Sequence, residues 1–147
     1  MSFRSYLKRV AYLSCDFLFI YKEWDISWIG NLNKILWTNS NSAQAFGAQT
    51  ITLSESMQNF RILRVTFRID YTRGYYVNAL LSVDGDKIQP TRVTSINVDG
   101  TLLYYRGIGN SSGTSLVIEG AYYTAALNSQ PTGYAGALIP DKVWGMK

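Results

Sequence analysis

The sequence predicts an all-β protein, an antiparallel β-sandwich or jelly-roll-like domain preceded by a short N-terminal arm that an amphipathic helix could form. Three observations predict it. Aromatic residues make up 14% of the 147-residue chain and eleven of them are tyrosines, a side chain suited to the pleated, half-buried surface of a strand. Twelve glycines and many Ser, Thr and Asn residues punctuate the chain, as tight turns require. From residue 31 onward apolar and polar residues alternate with period two, and no strand pattern is followed by a crossover helix, which argues against a parallel α/β sheet. With 47% apolar and 16% charged residues, a chain of this length suits one packed core.

Residues 1–30 form the arm and oligomerisation segment. Phe3, Leu7, Val10, Ser14, Phe17, Tyr21, Trp24 and Trp28 recur at alternating spacings of four and three, the seam of a helix that packs on a partner helix. Phe3, Leu7, Val10, Phe17, Trp24 and Trp28 are therefore the candidate oligomer interface. An extended arm that packs its rings on this or a neighbouring subunit is the competing reading. A signal peptide is not: Asp16 interrupts the apolar run 10–21, no small-residue cleavage site precedes Glu23, and the run is too short to span a bilayer. Gly30-Asn31 marks the boundary with the head domain, residues 31–147.

Strands 35–38 and 49–53 open the head. In 63–71, Leu63, Val65, Phe67, Ile69 and Tyr71 point one way while Arg64, Thr66, Arg68 and Asp70 point the other, so one face is core and one wet. Arg73-Gly74 turns the chain into 75–83, and Asp84-Gly85-Asp86 makes a tight turn into 87–89, implying two hairpins. Pro90 removes a ladder donor and breaks the strand before 92–98. Asp99-Gly100 turns into 102–108, and 109–113 is a flexible loop. Strands 115–119 and 121–127, the polar loop 128–133, and strands 137–139 and 142–144 complete roughly eight or nine short strands, the count of a sandwich or jelly roll.

The absence of histidine, with a single cysteine, Cys15, removes Ser-His-Asp and Cys-His nucleophiles, histidine metal sites and an internal disulfide. The net charge is +4, yet the 14 basic residues are scattered with no run of three, unlike the stripe that tracks a phosphate backbone. No nucleic-acid partner and no membrane insertion are expected. Of ten carboxylates, only Glu55, Asp70 and Glu119 lie where burial could raise a pKa, and no paired motif of a glycoside hydrolase joins them. Asp84-Gly85-Asp86 lacks the spaced ligands of a calcium loop, and Gly107-Ile108-Gly109 is followed by no phosphate-binding helix. The chain reads as a non-enzyme with no cofactor and no metal.

Binding is the chemistry that remains. Tyr75-Tyr76, Tyr104-Tyr105 and Tyr122-Tyr123 each fall within a strand pattern, where neighbouring side chains face opposite ways. One ring of each pair must face outward or into an interface, where a rigid amphipathic ring suits stacking on a sugar or burial between subunits. Cross-strand packing, at roughly 0.2–1 kcal/mol per aromatic pair, is the alternative use of the same rings. Arg73, on the Arg73-Gly74 turn, and Asn110, in the 109–113 loop, complete the candidate ligand-binding set, since loops on a rigid sandwich carry variable contacts. Arg64 and Arg68, with Arg73, suit an anionic polymer or simply keep the wet face soluble. Trp37 and Trp144 read as core or interface residues.

Two segments carry a family resemblance. Lys34-Ile35-Leu36-Trp37-Thr38-Asn39, then Asn41, Phe46 and Gln49-Thr50-Ile51, resembles the opening of a β domain at the C-terminus of tail-fibre, receptor-binding and minor structural proteins of phages and prophages of Gram-positive bacteria. Ile139-Pro140-Asp141-Lys142-Val143-Trp144-Gly145-Met146-Lys147 is similar to that family's closing strand, so the resemblance covers about residues 31–147. Ser40 and Ser42 stand where the family tends to carry prolines. The resemblance implies a virion protein of the tail or baseplate, a homotrimer among other virion tail proteins. It would mediate host attachment by binding cell-wall polysaccharide or teichoic acid. The alternative is a purely architectural tail or capsid decoration module that packs on other virion proteins.

Overall fold

The structure is a computed structural model that describes residues 33–70, 73–97, 100–125 and 130–147. The arm and its expected interface, Phe3, Leu7, Val10, Phe17, Trp24 and Trp28, lie outside the described residues. What is described is an all-β sandwich of antiparallel sheets. The first sheet has the order β1 (Asn33–Thr38), β11 (Ala137–Met146), β3 (Ile62–Asp70), β4 (Arg73–Ser82). The second runs β5 (Lys87–Ile88), β8 (Ser111–Ser112), β9 (Ser115–Thr124), β7 (Leu103–Ile108), β6 (Thr91–Ile96), with β2 (Gln49–Thr52) and β10 (Thr132–Gly133) also paired to β9. The helical element among the described residues is one 3-10 turn, Met57–Asn59.

Alternation built these faces. In the first sheet Leu63, Val65 and Phe67 of β3 oppose Leu81, Ala79 and Val77 of β4, and the three β3 side chains are fully buried. In the second, Tyr104, Arg106 and Ile108 of β7 point inward between outward Leu103, Tyr105 and Gly107. Leu116, Ile118 and Ala121 of β9, Ile51 of β2, Ile88 of β5 and Val93 of β6 complete that sheet's share of the core. The close approach of Phe60 depends on a missing side chain: a β-carbon at Gly145 of β11 would meet the Phe60 ring at 2.5–2.6 Å. Gly145→Ala is expected to lower the unfolding free energy by about 1–3 kcal/mol. The measurement is a urea titration, in which the midpoint falls and the slope stays constant.

Several boundaries differ from the sequence reading, each for a local reason. Asp70 pairs with Arg73, so Arg73 and Gly74 belong to β4 and not to the turn. The turn at Asp84 is tight, with reciprocal hydrogen bonds between the Asp84 and Lys87 backbones and Gly85 at φ 64°, where only glycine is free of steric cost. It makes no extended hairpin, because β5 pairs with β8 in the other sheet. The loop 109–113 contains β8, held by Ser111, whose buried hydroxyl donates to Gly109 O at 2.9 Å and accepts from Val117 N at 2.9 Å. The expected strands 115–119 and 121–127 are one strand, β9, whose register against β7 shifts between Arg106 and Ile108. Likewise 137–139 and 142–144 are one strand, β11, with a register shift between Pro140 and Lys142. A proline is tolerated in a central strand at such a bulge, and the freed Asp141 carbonyl accepts from Asn39 N at 2.8 Å.

Candidate functional site

The shift in β9 shapes the outer face of the second sheet. Arg106 pairs with Ala121 and Ile108 with Ile118, so Glu119 and Gly120 together oppose Gly107, the two-against-one count of a β-bulge. Counting by twos from buried Ile118 would turn Tyr122 inward and Tyr123 outward. The extra residue reverses that: Ala121 is buried and Tyr122 is 42% exposed.

Two rungs of the sheet then line up. On one, Tyr105 opposes Tyr122, and their rings stack with centroids 5.6 Å apart and planes inclined by 21°. On the other, Arg92 of β6 opposes Gly107 and the bulge lies on the far side. Gly107 has no side chain to fill the space between, and a β-carbon there would land on the Glu119 carboxylate. Arg92 reaches diagonally to lay its guanidinium 4.8 Å from the centre of the Tyr105 ring. Gly120 leaves the Tyr122 ring free to lie over its backbone, 3.4 Å from where a β-carbon would stand. The result is an open groove of about 350 Å³ lined by Arg92, the Glu119 carboxylate lying over Gly107, Gly120, and the Tyr105 and Tyr122 rings. No ion pair joins Arg92 to Glu119, so guanidinium and carboxylate both retain open hydrogen-bonding positions.

The expected ligand-binding residues whose side chains are described separate into four groups. Tyr105 and Tyr122 meet in the groove. Tyr104 is buried, its ring 5.9 Å from that of Tyr134, and Tyr123 packs edge-on against the same Tyr134 ring at 5.9 Å. These two are corrected from surface contacts to packing residues, because the register of β7 and the bulge in β9 point them into the sandwich. Tyr75 and Tyr76 are exposed, but on β4 of the other sheet. Asn110 lines a separate hollow of about 260 Å³ beside Gln89 and Ser112. The side chain of Arg73 lies outside the described residues.

Arg92, Gly107, Glu119 and Gly120 were missed as site residues. The signal available for them was glycine inside a strand pattern, which marks a bulge or a close approach. On the first sheet Arg64 lies 5.0 Å over the Trp144 ring, and Arg68 donates from Nε to Asp70 O at 3.1 Å. Trp37 meets Phe46 edge-on at 6.0 Å against the core. Glu55 is no raised-pKa acid: hydrogen bonds from Lys34, at 2.7 Å, and Asn59, at 2.8 Å, hold its carboxyl below the usual value. Among the described residues no three His, Cys, Asp or Glu side chains converge on a metal position.

Fold and site together define an all-β sandwich with an aromatic and doubly charged groove on one outer face. No protein-family model matches this chain, and no curated protein matches it.

Proposed function

We propose that the chain is an adhesion module that binds carbohydrate in the β6–β7–β9 groove. In the biological setting implied by its resemblance, it acts on a phage tail or baseplate against cell-wall polysaccharide or teichoic acid. The observation that carries this reading is the pair of rungs just described. Tyr122, exposed and backed by the stacked Tyr105 ring, offers ring surface to the C–H face of a sugar, while the Arg92 guanidinium and the Glu119 carboxylate line the same groove. A guanidinium donates in a planar fork and a carboxylate accepts from adjacent hydroxyls, so together they orient a polar ring that the tyrosines hold. The groove volume, about 350 Å³, falls at the small end of ligand sites. One site of this kind binds weakly, and several copies on one particle gain affinity through effective concentration.

The test is co-sedimentation of the full chain with wall fragments of Gram-positive bacteria, prepared with and without teichoic acid. Saturable binding is expected. Gly107→Ala, whose β-carbon would take the place of the Glu119 carboxylate, is expected to weaken it about tenfold, or 1.4 kcal/mol. Absence of saturable binding to either preparation, or undiminished binding by the variant, would remove the groove from the function.

A further inference from the structure

A second surface stands apart from the groove, on the other sheet. β4 is the end strand of its sheet, paired on one side to β3 alone among the described residues. Its other side presents the outward-pointing half of the backbone donors and acceptors of a ten-residue strand. Edge strands are ordinarily blunted by charge, proline, bulges or brevity. The opposite edge, β1, has six residues and carries Lys34, and β6, at the end of the second sheet, has six and carries Arg92. β4 has one bulge, at Gly74-Tyr75 opposite Ile69, and none of these devices from Tyr76 to Ser82, where the sequence YVNALLS holds no charge and no proline. It is also where exposed apolar surface concentrates: Leu80 is 65%, Tyr75 56% and Tyr76 48% exposed, three of the six exposed large apolar side chains described.

We propose that β4 is a strand-addition interface and that its occupant is the β4 of a second copy of this chain, paired antiparallel about a twofold axis at Asn78. The backbone edge calls for an extended partner, and the sequence fits itself. With Asn78 opposite Asn78, Tyr76 of each copy opposes Leu80 of the other. These residues share the outer face, where they already oppose Arg68 and Arg64 of β3. Val77 opposes Ala79 on the inner face, continuing the two cores across the axis. Because the stretch is uncharged, no like charges meet, which is the condition that self-pairing of an edge must satisfy. The twofold makes the contact closed, one patch serving both copies. The groove lies on the other sheet, so the pair carries two of them.

Sedimentation of the full chain tests this. Asn78→Asp keeps an acceptor for the Thr66 hydroxyl, which donates to Asn78 at 2.9 Å, and sets two carboxylates face to face across the axis. Asn78→Lys sets two ammonium groups there. The wild type is expected at twice the mass of either variant, whatever assembly other segments add, and an equimolar mixture of the two variants is expected to regain the wild-type mass. Equal masses for all three chains overturn the proposal, as they would if residues 1–32 or another protein cover the edge. So does a mixture that stays at half mass. Should a charged variant fail to fold, Asn78→Cys in a Cys15→Ser chain reads the same contact, since directly opposed residues of antiparallel strands lie within disulfide reach. Mild oxidation is then expected to yield a covalent pair, and its absence overturns the pairing.

Discussion

Arg106→Met is expected to lower the unfolding free energy by about 3 kcal/mol, among the largest effects of any single substitution in the described core. Arg106 is wholly buried and acts as a three-way tie. Its Nη1 donates to Glu119 O at 2.8 Å within its own sheet. Its Nη2 donates to Phe46 O at 2.7 Å in the β1–β2 connection and to Ala137 O at 3.1 Å in the facing sheet. The Phe46 ring lies 5.7 Å from the guanidinium. Burial draws the pKa of Arg106 down to about 10, so the group remains a cation at neutral pH. Methionine keeps most of the volume and none of the donors. Three carbonyls left without their donor cost about 1–3 kcal/mol each, and removing a buried cation returns a few kcal/mol of desolvation, which leaves the net loss near the value given.

The backbone next to Ala137 raises the stakes, because Leu138 holds φ 44° with its side chain fully buried. That left-handed conformation costs an L-residue about 1–2 kcal/mol, and the Arg106 bond to the preceding carbonyl helps to hold it. Arg106→Lys, with one ammonium in place of a planar fork, is expected to recover less than half of the loss. A guanidinium chloride titration checks both variants. A midpoint equal to wild type in Arg106→Met would mean that the sheets do not depend on this tie.

The sandwich was legible because burial in most strands obeys simple alternation. Leu63, Val65 and Phe67 announce the inner face of β3 as plainly in the sequence as in the fold. What alternation hides are the places where it breaks, and among the described residues two of the three fall at residues that mimic strand ends. Gly120 and Pro140 read as strand ends, since one has no side chain to pack and the other no N–H to donate. Both in fact lie beside bulges inside ten-residue strands. The candidate site inherits that blindness. The sequence requires one ring of each tyrosine pair to face out, but which ring does so in β9 depends on a one-residue register shift against β7, a non-local fact. Arg106 had a readable inward position between Tyr104 and Ile108. Its role depended on carbonyls 31 and 60 residues away, which no local pattern displays.

That register shift makes the second large effect a paired one, in which two adjacent tyrosines fail in opposite ways. Tyr122→Ala is expected to weaken binding of wall fragments roughly thirtyfold, about 2 kcal/mol, the loss typical of an aromatic anchor. Its stability should fall by no more than about 1 kcal/mol, the worth of a cross-strand ring pair at the surface. Tyr123→Ala removes a half-buried ring from the Tyr134 cluster and is expected to lower stability by about 2 kcal/mol, below the range for fully buried aromatic residues. Binding by the folded fraction should match wild type. The two measurements, a fragment-binding isotherm and a denaturant midpoint, therefore cross over between neighbours in one strand. If the rings served packing alone, Tyr122→Ala would show a small stability change and unaltered binding. If the bulge did not turn β9, the two variants would exchange their effects. Only an outward Tyr122 stacked on Tyr105 beneath a bound sugar makes affinity follow the first substitution and stability the second.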